Sequence, residues 1–311
     1  MSKLNRLYIG MAVIVALLLI LSSTTVANAG KPTPTPTPGT PPPPPPVPAG
    51  MRAGLRASDY GISPWPSTTW WVNSINSMAS RFPTSTGSGV FIPVEIDGMK
   101  GPGCWAHFPN PDGGTYPGVR FDPTDKMEPD FTAFDQNGIH YWVQVEPSAC
   151  DVPMLIDLLM KEYGHHTNIV GIGVDVEWYL NKSYRNGKAV TDAEAQAWVA
   201  KVRTYDTNYK VFLKHWMASK MPPTYRDGLV LVDDSQGFRS MDAMMTEFAT
   251  WGQAFAPAPV GFQFGYASDR SWWSKLADPP RDIGNGILRG AQNTSDLIWV
   301  DFTAYDIWPP E

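Results

Sequence analysis

Cysteine, charge and histidine are all scarce in this chain. Two cysteines in 311 residues cannot build a disulfide scaffold or a four-cysteine zinc site. Charged residues make up only 17%, against 43% hydrophobic and 12% aromatic. That excludes a disordered acidic protein, a coiled coil and a highly charged nucleic-acid binder. The five histidines include no H-E-x-x-H pair, and His165-His166 stand before an apolar run rather than after one, so no metal is expected at a catalytic centre. No G-x-G-x-x-G or G-x-x-x-x-G-K-[ST] loop follows a strand candidate, and no G-x-S-x-G elbow is present. Dinucleotide, nucleotide and α/β-hydrolase chemistry lose support with them, and no cofactor is expected.

Proline is abundant but local. Residues 31–50 read KPTPTPTPGTPPPPPPVPAG, eleven prolines in twenty positions, a composition for an extended polyproline spacer whose threonines could carry sugars. Before it, Lys3 and Arg6 precede a fourteen-residue apolar run (8–21) and the small-residue site Ala27-Asn28-Ala29. This is the pattern of a secretory signal, and the run is short for a membrane span. The expected organisation is a signal peptide at 1–29, a Pro/Thr-rich linker at 30–50 and one folded domain at 51–311. The protein is then secreted or at the cell surface, with no membrane contact beyond the signal or an N-terminal anchor. Loss of the signal would take the net charge from −6 to −8, since it carries two cations and no acid; nucleic acid is disfavoured as a partner.

Within the domain, short apolar runs recur with polar residues at their C-terminal ends: GVFIPVEI (89–96), HYWVQVEP (140–147), NIVGIGVDVEW (168–178), KVFLKHW (210–216), GLVLVDD (228–234), VGFQFGY (260–266) and LIWVDFT (297–303). ASDYGIS (57–63) and GVRFD (118–122) are weaker candidates. Helical spacing lies between them at 67–82, 152–163, 192–205, 241–255 and 271–276, the third opening with the capping signal Thr191-x-x-Glu194. Repeating strand–helix units with near-continuous apolar strands predict a parallel sheet covered by helices. Omitting either weak candidate leaves eight strands, so the fold class is α/β and the expected architecture a (β/α)8 barrel, with a doubly wound open sheet as the alternative. Either omission makes GIGVDVEW strand 4.

Barrel chemistry sits at the C-terminal strand ends, and carboxylates collect there. Alternation puts Gly173, Asp175 and Glu177 on one face and Ile172, Val174 and Val176 on the other. Two acids roughly 6.5–7 Å apart at Cα cannot both ionise freely, so one is raised and suits proton donation to a leaving oxygen. The expected roles are Glu177 as general acid/base beside the wall of Trp178, and Asp175 as its tuner. Lys214 or Arg120 could instead neutralise the pair. Two-carboxylate hydrolysis needs a second group: Glu146 is one candidate, Asp301, Asp233 and Asp234 are rivals, and a substrate carbonyl could replace them.

Residues 175–177 resemble the Asp-x-Glu ending strand 4 of family 25 lysozymes and, with Gly173 where an Asp is wanted, the Asp-x-Asp-x-Glu of family 18 chitinases. The resemblance implies a glycoside hydrolase barrel and a carbohydrate polymer as partner, with an N-acetylhexosamine-containing glycan as one possibility. It also implies Trp299 as the floor of a sugar site and Tyr266 as an acetamido-assisting group. Trp178, Trp216 and Trp299 at strand ends are expected to stack on sugar rings, with Lys214, Asp234, Gln263, Tyr266 and Asp301 as further substrate contacts. Cys104 and Cys150 are expected in loops on the same face, joined as one disulfide. A non-catalytic carbohydrate-binding or structural surface protein on the same barrel is the competing function.

Overall fold

The structure is a computed structural model that describes residues 43–98 and 103–310. The expected signal peptide and residues 30–42 of the linker lie outside the described residues. Residues 43–48 have no regular structure and run into a turn at 49–50. No helix among the described residues is long and apolar enough to cross a membrane.

Ten strands are formed among the described residues: β1 (Arg52–Ala57), β2 (Thr86–Ile96), β3 (Cys104–Ala106), β4 (Val119–Phe121), β5 (His140–Val145), β6 (Ile169–Asp175), β7 (Lys210–Lys214), β8 (Leu229–Asp233), β9 (Val260–Phe264) and β10 (Thr294–Trp299). Eight of them, β1, β2 and β5 to β10, pair in parallel, and β1 closes the ring by pairing with both β10 and β2. The longer helices are α1 (Thr68–Ala79), α2 (Glu128–Asn137), α3 (Val152–Tyr163), α4 (Asp192–Val202), α5 (Met241–Phe255) and, after the single turn α6 (Arg270–Trp273), α7 (Pro279–Gly290); the single turn α8 (Ala304–Ile307) ends the set. This is a (β/α)8 barrel, and β6 is its fourth strand.

Two strand expectations are corrected. ASDYGIS is not the first strand: β1 ends at Ala57, and residues 59–64 turn and bend. GVRFD does form β4, but outside the ring. The antiparallel β3 folds back along the end of β2, and β4 lies beside β3. The helices α2 and α7 and the single turn α8 lie in segments where no helix was expected. The other helices match closely; Thr191 and Glu194 cap α4 reciprocally, and Ser67 caps α1 through the Trp70 amide at 3.1 Å.

Alternation divides the core into two layers. Ala53, Leu55, Tyr141, Val143, Ile172, Val174, Val211, Leu213, Phe262 and Leu297 belong to the large core that includes the helices. Val90, Trp142, Phe212, Val230, Val232 and Ile298 form a separate cluster inside the ring. A Cβ on Gly173 would stand 2.1 Å from the Phe212 ring, so this glycine admits the aromatic plug beneath the strand-4 carboxylates. Arg52 closes the opposite end of the interior through a two-pronged pair with Asp296 at 2.7 and 2.8 Å, with the Trp142 indole also donating to Asp296 at 3.0 Å.

Gly54 is required by the ring's closure: a Cβ there would lie 1.5 Å from the Ser88 carbonyl oxygen on β2. That contact is with backbone, which cannot rotate aside. Gly54→Ala should destabilise the fold by about 3 kcal/mol or more, at the upper end of overpacking costs. Urea unfolding checks this, and a loss under about 1 kcal/mol would mean that β1 and β2 separate easily.

Candidate active site

A pocket of ≈ 290 Å³ opens at the C-terminal end of the ring. Arg56 (β1), Glu146 (after β5), Asp175 (β6), Lys214 (β7), Asp234 (after β8) and Tyr266 (after β9) line it from below, with Tyr60, Trp178, Gln236 and Phe302 among the groups around it. Six barrel strands or their ends therefore contribute, as parallel strands that all terminate on one face require.

Lys214 is buried and lies 2.8 Å from Asp175 and 2.7 Å from Asp234. Burial opposes its charge, but the two carboxylates outweigh it and raise its pKa well above the ordinary lysine value. Gln144 approaches Asp175 at 3.5 Å from the inner side. Burial raises the Asp175 carboxyl, with Lys214 acting against the rise. Lys214 thus compensates the acids. Arg120 takes no part: it pairs with Asp97 at 3.2 Å and stacks on Trp105, its Cζ 3.7 Å from the ring centroid.

Glu177 sits in the turn just after β6, partly exposed, with its backbone N–H donating to Asp175 at 3.2 Å. Its carboxyl lines the pocket and carries no ion pair among the described residues. Burial first, then the charge of Asp175, push it up to about 7. Glu146 is fully buried. The Tyr60 hydroxyl donates to it at 2.5 Å and the Ile96 amide at 3.3 Å. Burial, then Asp175 and Glu95, push the Glu146 carboxyl up to about 8. Two carboxyls that hold protons near neutrality therefore face one open pocket. Such a pair can give and take a proton on either side of a bound group.

Several of these groups have no counterpart in the sequence reading. Arg56 is buried and pairs with Asp301 at 2.5 Å while also donating to the Tyr60 hydroxyl. Its guanidinium lies 5.2 Å from the Tyr60 ring centroid and 5.1 Å from that of Phe302. Tyr60 keeps half its surface exposed at 51%, and Phe302 45%, so both rings face solvent above a cation that is sealed. His107 joins Glu95 at 3.0 Å and Asp122 at 3.0 Å; burial works against its charge but the two acids raise it overall.

Trp178 and Trp216 do lie at the opening. Trp216 lines a second pocket of ≈ 300 Å³ with Glu177, Asp234, Ser235 and Gln236. Five expectations are corrected. Trp299 does not floor the site: Ile298 takes the inward position, and Trp299 is buried against Trp273 at 5.2 Å, its indole donating to Thr303 at 3.0 Å. Asp301 is no substrate contact but the anchor of Arg56 and of Ser58, whose amide and hydroxyl both reach it at 2.6 Å. Gln263 is fully buried one level below the opening, beside a small void lined by the interior cluster. Asp233 points away from the pocket; burial pushes it up to about 8 while the Ser235 amide donates to it at 2.8 Å. Cys104 and Cys150 are both free and buried. They touch as thiols rather than as a disulfide, with Cys104 donating to the Pro147 carbonyl at 2.9 Å and Cys150 to that of Gly118 at 3.5 Å. His215 is structural, accepting from the Met217 amide at 2.8 Å.

No protein-family model matches the chain, and no curated protein sequence matches it. Solved structures do share its shape. One, assigned as an alpha-L-fucosidase from Bacteroides thetaiotaomicron, superposes with a TM-score of 0.50 at 8% identity, over 82% of this chain and 89% of that one. A beta-glucuronidase from an uncultured Clostridium superposes with a TM-score of 0.45 at 9% identity, over 81% of this chain and 44% of that one. At such identities the first of these likenesses is one of fold, in agreement with the closed parallel ring.

Glu146 and Glu177 bind protons more tightly in the folded chain than at their ordinary value of 4.5. Their contribution to stability is full below about pH 4.5 and is lost as the pH rises through about 7 and 8. Glu146→Gln should therefore gain on the wild type by up to about 4 kcal/mol between about pH 5 and pH 9, measured by urea unfolding. Parallel stability curves for the two proteins would remove the raised Glu146.

Proposed function

We propose that this chain is a glycoside hydrolase that cleaves a carbohydrate polymer outside the cell or at its surface. Glu177 acts as general acid/base and Asp175, held by Lys214, tunes it. Glu146 is the second carboxyl, oriented by Tyr60 and Arg56. The observation that carries this reading is that Glu177 reaches an open pocket unpaired, with a second carboxyl, Glu146, lining the same pocket, while Lys214 is consumed by Asp175 and Asp234. A Glu177 sealed against Lys214 would have argued for mere charge balance. Export rests on the signal-like residues 1–29 and the proline-rich spacer. The fold likeness to a protein assigned as an alpha-L-fucosidase is in keeping with the proposal, although one barrel hosts many chemistries.

The roles follow from the two environments. A glycosidic oxygen must be protonated as it leaves, and an acid poised near neutrality does this while keeping a useful charged fraction for the reverse transfer. Glu146 is held by a phenol and an amide rather than by a close cation. In a retaining reaction it would attack the anomeric carbon; in an inverting one it would draw a proton from water. Tyr60 and the Arg56 guanidinium would stabilise its anionic form once the proton is passed on. An N-acetylhexosamine-containing glycan remains one substrate class within the proposal, with Tyr266 placed in the pocket to contact an acetamido group.

Reducing-sugar release from a panel of cell-wall and storage polysaccharides tests the reading directly. Glu177→Gln should lower release by about two to four orders of magnitude without loss of fold, and kcat/KM of the wild type should be bell-shaped, highest between about pH 7 and 8, lost below as Glu146 takes up its proton and above as Glu177 gives up its own. No release from any glycan, with binding indifferent to Glu177→Gln, would instead make the chain a carbohydrate-binding module on a barrel.

A further inference from the structure

A second cluster lies at the other end of the barrel. Glu128 is the first residue of α2, and His165 and His166 sit between the end of α3 and the start of β6. Their ligand atoms all fall within 4.8 Å of one another. His166 Nε2 is 3.1 Å from one Glu128 oxygen, and His165 Nε2 is 3.2 Å from the other. The opposite nitrogen of His166 lies 2.8 Å from Asp135.

That geometry constrains the charge. Asp135 can only accept, so His166 Nδ1 carries a proton and donates it. With Nδ1 committed to Asp135, Nε2 is the nitrogen left to face a cation that Glu128 also reaches. A tetrahedral metal with bonds of about 2.0–2.1 Å places its ligand atoms roughly 3.4 Å apart, close to the two distances found. A carboxylate that orients a ligating imidazole through its far nitrogen is the usual outer support of such sites. Asp135 fixes the loop as well, accepting from the amides of Thr167 at 3.3 Å and Asn168 at 3.1 Å.

The surroundings suit a cation. The His166 side chain is 3% exposed, with the Phe131 ring at 5.7 Å and that of Tyr163 at 6.4 Å, so one ligand is locked in place. The His165 side chain is 60% exposed and that of Glu128 38%, which leaves a route in and room for water as a further ligand. Asp125 and Glu162 add negative charge beside Glu128.

We propose that Glu128, His165 and His166 form a binding site for a divalent transition metal, with zinc the best match to a two-imidazole, one-carboxylate set, and with Asp135 as the positioning residue for His166. A bound ion would fasten the start of α2 to the loop that leads into β6, the strand carrying Asp175 at its far end.

Titration calorimetry of the tag-free chain with zinc chloride, after stripping with a chelator, tests the site. One zinc per chain is expected, with a rise in the thermal midpoint that excess chelator reverses. His165→Ala, a change at an exposed side chain, and Glu128→Gln should each weaken binding by about ten-fold or more, and Asp135→Asn by about ten-fold. Cobalt in place of zinc should give the visible absorption of a tetrahedral site, lost in His165→Ala. The proposal is overturned if the wild type shows neither heat nor thermal shift with zinc. It is equally overturned if His165→Ala and Glu128→Gln bind zinc as tightly as the wild type, which would place the ion elsewhere.

Discussion

A closed barrel end that gathers carboxylates depends on the cations buried among them. Asp175, Asp234 and Asp301 are almost wholly sealed, and an unpaired charge in such a place costs several kcal/mol. Lys214 answers the first two and Arg56 the third. At the opposite end of the ring interior, Arg52 answers Asp296. These pairs also decide by exclusion which acids stay reactive. With both upper cations engaged, Glu146 and Glu177 have no ion-pair partner among the described residues, and burial raises them. Structural neutralisation and chemical activation are therefore two results of one charge arrangement.

The fold was legible where strands met the rule that buried parallel strands are apolar throughout. It was hidden at β1, because the inward positions of RAGLRA are Arg52, Gly54 and Arg56. Two of those are charges that bind the two ends of the ring, and the third is a glycine forced by the approach of Ser88. A strand whose inner face is built from ion-pair partners has no apolar signature to read. The same fact concealed Arg56 as a site residue. GVRFD misled for the opposite reason: it has strand composition, but β3 carries it away from the ring. The helix α2 was obscured because its aromatic anchors, Phe131 and Phe134, stand among acids and a proline, and α7 because it holds three glycines, counting its last residue.

Within the site, parity along each strand did most of the work. On β6 it puts Asp175 on the inner face, since Ile172 and Val174 belong to the outer core, whereas Glu177 lies in the turn beyond the strand, where alternation no longer decides. On β10 the run LIWV offers no polar marker, and Asp296 below it, which faces inward toward Trp142, is what makes Ile298 inward and Trp299 outward. Reading the strand from Asp296 upward would have excluded Trp299 as a floor. Depth was a separate failure. Gln263 has the right parity, but β9 ends only one residue later, and the chain must travel on to Tyr266 before it reaches the opening. Tyr60 belongs to a turn, where alternation says nothing; a tyrosine four residues after a strand-end arginine was its sole signal.

Glu177 borders both the ≈ 290 Å³ pocket and the ≈ 300 Å³ pocket, whereas Glu146 borders only the first. Under the proposed chemistry this asymmetry assigns directions. The proton donor must touch the oxygen that joins two sugar units, so the bond to be broken belongs at the junction of the two pockets. The carboxyl that works on the anomeric carbon must face the unit that owns that carbon, so that unit belongs in the first pocket, above Arg56 and beneath Tyr60 and Phe302. The departing unit then lies toward Trp216, whose ring packs, tilted, beside His215 with centroids 4.2 Å apart. A donor shared between two cavities suits a substrate of at least two linked units better than a single free sugar, which would fill one cavity and leave Glu177 without a leaving group to protonate.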